Sequence, residues 1–167
     1  MKHLAVDGVV TLQKLESLAH PDREPQPGDV PAVIIDVETT GLNKDRDEVI
    51  QIALRPFFVS PTTGEVSSIK KCIEYLQEPS FPLSEVITDI TGFVDSDLKG
   101  HKIPWDKVAR ILSKCQFVVA HNASFDRQFV DESLRRNGQV VPTDTVWCCS
   151  MSQVDWNSIC RASKALE

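Results

Sequence analysis

At 167 residues, 41% of them hydrophobic and 25% charged, the chain has room for one domain with a proper core. A net charge of −6 excludes a broad basic footprint of the kind that drives tight nucleic-acid binding, though not an enzyme that grips one strand end through metals held by its acids. No apolar run reaches the length of about 18 residues that a transmembrane helix needs. The stretch Met1 to Asp7 lacks the apolar core of a signal peptide. The cysteines Cys72, Cys115, Cys148, Cys149 and Cys160 are odd in number and form no Cys-x-x-Cys pair. A disulfide framework and a zinc site are therefore poor readings, and a reducing cytoplasm is the expected location. The adjacent Cys148-Cys149 reads as half-buried strand.

In chain order, the apolar spacing of residues 9 to 19 predicts a short amphipathic helix. A Pro-rich linker follows, with Pro21, Pro25 and Pro27. Residues 1 to 30 thus read as an appendage, and 31 to 167 as the folded domain. Ala32-Val33-Ile34-Ile35 opens a buried strand that runs into Asp36-Val37-Glu38 and then the polar turn Thr39-Thr40-Gly41-Leu42. Asn43 to Asp47 reads as a loop, Glu48 to Ser60 as a long strand, and Val66 to Gln77 as its returning partner after a Pro-Thr-Thr-Gly turn. A short helical stretch is expected near Ser84 to Asp89. Trp105 to Cys115 predicts an amphipathic helix introduced by Pro104. Phe117 to Ala120 is a fully apolar strand, Ser124 to Arg136 a helix closed by Asn137-Gly138, and Val146 to Cys149 a last strand, with weak helix from Ser150. Two strands and a return followed by helix–strand alternation predict an α/β fold with a mixed sheet.

Asp36 and Glu38 are two residues apart, so both side chains leave the same face of their strand. Side by side they repel and lose hydration, which a hard divalent cation such as Mg²⁺ compensates best. The plain alternative is a strand end whose acids face water. Asp126 lies in the first turn of a helix just past a strand's C-terminal end, where ligand sites in open α/β sheets collect; alone, it reads equally well as an acid favoured by the helix dipole. Together the three acids make the carboxylate set that a two-metal site requires.

Asp36-Val37-Glu38-Thr39-Thr40-Gly41-Leu42 with His121-Asn122-Ala123-Ser124-Phe125-Asp126 resembles the first two motifs of the DnaQ-like (DEDDh) 3′→5′ exonucleases, which include the proofreading epsilon subunit of DNA polymerase III. The likeness extends from Pro31 to Trp156. It implies a ribonuclease H-like fold, a mixed five-stranded sheet flanked by helices whose first three strands are antiparallel. It implies catalytic and metal-binding roles for Asp36, Glu38 and Asp126, with Mg²⁺ or Mn²⁺ as cofactor, two ions in the complete site. Thr39, Thr40, Gly41 and Leu42, with His121, Asn122 and Phe125, are implied to bind substrate. The implied partners are a single-stranded DNA or RNA 3′ end and a DNA polymerase subunit, with no membrane.

One motif departs from that pattern. The family's third motif pairs a general-base His with an Asp five residues on, along a C-terminal helix. Here no histidine follows His121, and the only aspartates after Asp126 are Asp131, Asp144 and Asp155. The domain is therefore expected to be C-terminally incomplete, with apolar sheet surface left uncovered and available for a homodimer. Three readings stand: an exonuclease domain, an inactive exonuclease-like module that binds a strand end or a polymerase partner, and a small α/β interaction protein whose acids are structural.

Overall fold

The computed structural model describes residues 24–156 together with the backbone of two short strands, β1 (Ala5–Val6) and β2 (Val9–Val10), which pair antiparallel with each other. The helix expected over 9 to 19 therefore does not begin at Val9, whose partner is Val6; positions 11–19 lie outside the described residues, as do 157–167.

The sheet is built on β3 (Val30–Thr39), whose β-branched run suits a strand between two neighbours. Val33, Ile35, Val37 and Thr39 are buried on one face, while Ile34, Asp36 and Glu38 leave by the other, the period-2 alternation read from the sequence. β4 (Val49–Val59) runs antiparallel beside it, from Val30↔Val59 to Glu38↔Gln51, with a register shift between Glu38 and Thr39.

The single returning strand expected over Val66 to Gln77 is instead two, β5 (Val66–Ile69) and β6 (Ile73–Leu76), both paired antiparallel with β4. The cause is Pro56. Its carbonyl accepts from Lys70 N–H at 2.8 Å, but the proline has no N–H to return on that side. The ladder breaks there and resumes at Leu54↔Ile73 with its register moved by one residue. The sheet accordingly has six strands rather than five, the edge position beside β4 being split between β5 and β6.

A short helix α1 (Glu85–Thr91) has Ser84 as its cap, the hydroxyl accepting from Ile87 N–H, and ends at Gly92 in the left-handed region, φ 76°. No pattern in the sequence announces α2 (Asp95–Leu98), a single turn that buries Leu98. α3 (Trp105–Leu112) follows Pro104 and turns Trp105, Val108 and Leu112 inward. β7 (Phe117–Ala120) lies parallel to β3, and α4 (Ala123–Arg136) carries the chain across to β8 (Val146–Cys149), parallel to β7. α5 (Ser150–Gln153) follows. The order across the sheet is β5-β4-β3-β7-β8, with β6 also on β4: antiparallel at the start of the chain, parallel after it.

The core lies between one face of this sheet and α3 and α4. Val33, Ile35, Val37, Ile52, Leu54 and Val118 meet Trp105, Val108, Leu112, Phe129, Val130 and Leu134. On the opposite face Ile34 is 49% exposed, and Val146 is exposed as well. Asp36 and Glu38 stand on that open face.

Candidate active site

The site forms where β7 stops. Its pairing with β3 ends at Ile34↔Val119, so β3 continues past it without a strand partner on that side. The Val37 N–H, beyond the last pair, donates to Asp126 Oδ1 at 3.2 Å, a buried bond made by the first turn of α4. A backbone donor left by the end of one strand is thus satisfied by a carboxylate from the helix that follows it. Asp126 is 3% exposed. Burial, and next the negative charge of Asp36, push its pKa up to about 7, against the hydrogen bonds from its own N–H and that of Val37.

Asp36 and Glu38 are shifted in the same direction. Partial loss of water raises both; Asp36 adds to the shift of Glu38, while His121 acts in the opposite sense on Asp36. The three acids are electrostatically coupled through Asp36. As they stand, however, no three His, Cys, Asp or Glu side chains among the described residues are gathered tightly enough to hold a metal ion. The expected carboxylates share a corner of the sheet but form no finished cage. Their chemistry suits a hard cation, since oxygen donors whose charges repel are what such an ion neutralises.

The turn after Glu38 is braced from within. Thr39 is buried and its hydroxyl donates to Gly41 O at 2.6 Å. Thr40 N–H donates to Glu48 O at 2.9 Å, and Glu48 N–H donates back to Thr40 Oγ1 at 3.0 Å. Leu42, held at the rim of this turn, is 83% exposed. An apolar side chain presented so fully has no packing role in the chain itself.

His121 follows β7 directly. Its Nδ1 lies 3.0 Å from Ser150 Oγ, and its ring meets the Trp156 ring edge-on at 6.4 Å. Asn122 takes the left-handed backbone, φ 61°, the only such non-glycine residue among those described, and its Oδ1 accepts from Ser124 Oγ at 3.2 Å. Asn tolerates that conformation better than most residues. Phe125 is half-buried and packs on Phe129 with ring centres 4.9 Å apart, so its ring is committed in part to the core.

Sequence reading missed Ser150, Trp156 and Cys149. The Cys149 thiol is pulled down to about 7, first by the Ser152 hydroxyl and then by N–H groups of Ala123, Ser152 and Met151, and its charge reaches Asp126. Only adjacency in the folded sheet, β8 beside β7, brings them to the site, and no local pattern announces that. A cleft of about 500 Å³ lined by Gln77, Glu78, Gly100, His101, Lys102 and Asn137 lies apart and shares no residue with the acids.

Four antiparallel strands followed by two parallel ones define a ribonuclease H-like fold, with acids on the central strand and at the head of the helix after its parallel neighbour. The chain belongs to the RNase_T family, described as Exonuclease, whose model matches residues 33–155. It is 33% identical over 116 residues to the PolC-type DNA polymerase III of Lactococcus lactis subsp. lactis (strain IL1403), an alignment covering 68% of this chain and 7% of that protein. The PolC-type enzyme of Streptococcus mutans serotype c (strain ATCC 700610 / UA159) is 36% identical over 107 residues, covering 63% of this chain and 7% of that one. The chain thus spans a small part of the length of these curated relatives. Among solved structures, E. coli exonuclease I in complex with a dT13 oligonucleotide superposes with a TM-score of 0.60 at 15% identity, over 73% of this chain and 28% of that one. Apo exonuclease I gives 0.56 at 17% identity, over 73% and 29%. At those identities the likeness shows the fold.

Proposed function

We propose that the chain is a 3′→5′ exonuclease domain that takes the free 3′ end of a single strand, DNA of the proofreading or repair type, and hydrolyses its terminal phosphodiester, releasing a nucleoside monophosphate. The observation that carries this reading is the buried Asp126 carboxylate, held on Val37 N–H beside Asp36 and Glu38 in a member of an exonuclease family. A cytoplasmic location beside a DNA polymerase subunit belongs to the same reading, in line with the PolC-type relatives.

Asp36, Glu38 and Asp126 are the residues that would hold Mg²⁺ or Mn²⁺, two ions in a complete site. Such ions supply activation of the attacking water and stabilisation of the leaving oxygen. The chain's own side chains do the rest. The braced Thr39 to Leu42 turn receives the terminal nucleotide, with Leu42 packing against its base. Val37 N–H fixes Asp126 so that its carboxylate need not be ordered when substrate arrives. Ser150 holds His121 beside Asp36, and Asn122 and Phe125, next to it in the chain, bind substrate with it.

One observation favours a second reading, an inactive module that binds a strand end or a polymerase partner: among the described residues the acids are not gathered tightly enough to hold a metal ion. The test is digestion of 5′-labelled single-stranded DNA and RNA with Mn²⁺, beside the variant Asp36→Ala, Glu38→Ala. The expected result is slow shortening from the 3′ end by residues 1–167 and none by the variant. Binding without shortening would support the inactive module, and neither binding nor shortening would defeat both readings.

A further inference from the structure

Arg136, the last residue of α4, does something that a basic residue at a helix C-terminus ordinarily does not. Such residues favour their own helix's dipole and carbonyls. Here the guanidinium reaches out of the helix to two main-chain carbonyls far away in sequence. Nη2 donates to Lys44 O at 2.7 Å and Nη1 to Asp47 O at 3.2 Å, while Nε donates to Glu132 Oε1 at 3.2 Å. A planar fork with fixed donor directions suits such a pair of acceptors, and Glu132 fixes the fork's orientation.

The carbonyl that Arg136 holds belongs to the residue that supports the turn. Asp47 Oδ2 accepts from Asn43 N–H at 2.8 Å, and Asp47 N–H donates to Asn43 O at 2.7 Å. The same carboxylate lies against the backbone of Gly41, where a methyl group would come within 2.5 Å of Asp47 Oδ2. Contact therefore runs from Arg136 to Asp47 and from Asp47 to Gly41. The other end of α4 is fastened to β3 through Asp126 and Val37 N–H. The two attachments lie ten residues apart along the helix, about 15 Å at the α-helical rise. One rigid helix thus sets both the buried carboxylate and the turn that follows Glu38.

We propose that Arg136 is a positioning residue: through Asp47 it holds the Thr39 to Leu42 turn in the shape that receives the 3′-terminal nucleotide. This rests on the exonuclease reading above. Arg136 touches neither the acids nor the substrate, so its loss is expected to act on strand-end binding and not on the metal.

The test uses residues 1–167 with Mn²⁺ and 5′-fluorescein-labelled oligo-dT ending in a 3′-hydroxyl or a 3′-phosphate. Binding is followed by anisotropy, and the Mn²⁺-dependent rise in melting temperature is measured alongside. Arg136→Ala is expected to weaken binding of the 3′-hydroxyl strand by about tenfold, the scale of a lost charge-assisted contact, and to leave the Mn²⁺-dependent rise unchanged. Arg136→Lys should recover only part of the loss, because one ammonium cannot bridge two carbonyls as the fork does. Gly41→Ala, which displaces Asp47 from the other side, should reproduce the loss with Arg136 intact. Equal binding by wild type and Arg136→Ala would overturn the proposal, as would loss of the Mn²⁺-dependent rise together with binding, which would make Arg136 a general support of the domain. A wild-type chain that does not distinguish the two 3′ ends would overturn it through the exonuclease reading instead, and that outcome shows before any substitution is compared.

Discussion

Asp126→Asn is expected to flatten the fall in stability of the metal-free protein between pH 4 and pH 7. In the folded chain the Asp126 pKa is pushed up to about 7, whereas its ordinary value is 3.8. Between those values the folded state keeps a proton that the unfolded chain releases. Stability is then fully present below the unfolded value and is lost as pH rises through the folded one. The loss between pH 4 and pH 7 amounts to at most about 4 kcal/mol for this one group. Asp36, Glu38 and Asp131 are raised too and act in the same sense. Cys149, pulled down to about 7, acts oppositely above neutrality, so the comparison belongs below pH 7. Asparagine keeps the carbonyl oxygen that accepts from Val37 N–H and removes the charge. The variant should therefore be more stable than wild type at pH 7 and show a much flatter slope from pH 4 to 7. Urea denaturation across that range checks it; an unchanged slope would mean that Asp126 is ionised and solvated in the folded protein.

Phe129→Ala is expected to be the most damaging single core change. Phe129 is 1% exposed, sits one helical turn from Phe125, and fills the space between α4 and the inner face of β3 and β4. Phenylalanine-to-alanine changes at such sites cost about 3–5 kcal/mol, part in transfer free energy and part in the cavity left behind. Marginal domains have little more than this to lose. Because α4 carries Asp126 at its head and Arg136 at its tail, the loosened helix should also lose the order of the site. Thermal unfolding by circular dichroism should show a lowered melting temperature, and a change under about 1 kcal/mol would mean that the helix does not rest on that ring.

The acids were legible in the sequence because strand periodicity is strict. Asp36 and Glu38 leave one face and Ile35 and Val37 the other, as the two-residue period requires. The helix of Asp126 was legible from its apolar spacing, and the strand–helix alternation gave the parallel half of the sheet. What was not legible came from contacts between distant segments. Pro56 is unremarkable in β4 until a partner strand needs its missing N–H, and then it splits that partner into β5 and β6. Val9 and Val10 fit a helical pattern as well as a strand, and two residues of pairing decide for the strand. Ser150 reaches His121, and Arg136 reaches Lys44 and Asp47, only because β7 lies beside β8 and the end of α4 beside the first loop. Nor could spacing foretell that the three acids would be coupled in charge without closing on one point.

The central claim is that Asp36, Glu38 and Asp126 form a divalent-cation site, and the melting temperature with and without Mn²⁺ tests it most directly. An ion that binds the folded chain and not the unfolded one stabilises it by mass action, about 2.7 kcal/mol at a hundredfold excess over its dissociation constant. For a domain of this size that is a rise of about 5–10 °C. The rise should grow from pH 6 to pH 8, as the acids give up the protons that compete with the metal. Asp36→Asn should abolish it, even where relief of repulsion makes that variant more stable without metal. A wild-type protein whose melting temperature does not move at millimolar Mn²⁺, or an Asp36→Asn variant that still responds as wild type does, would contradict the account.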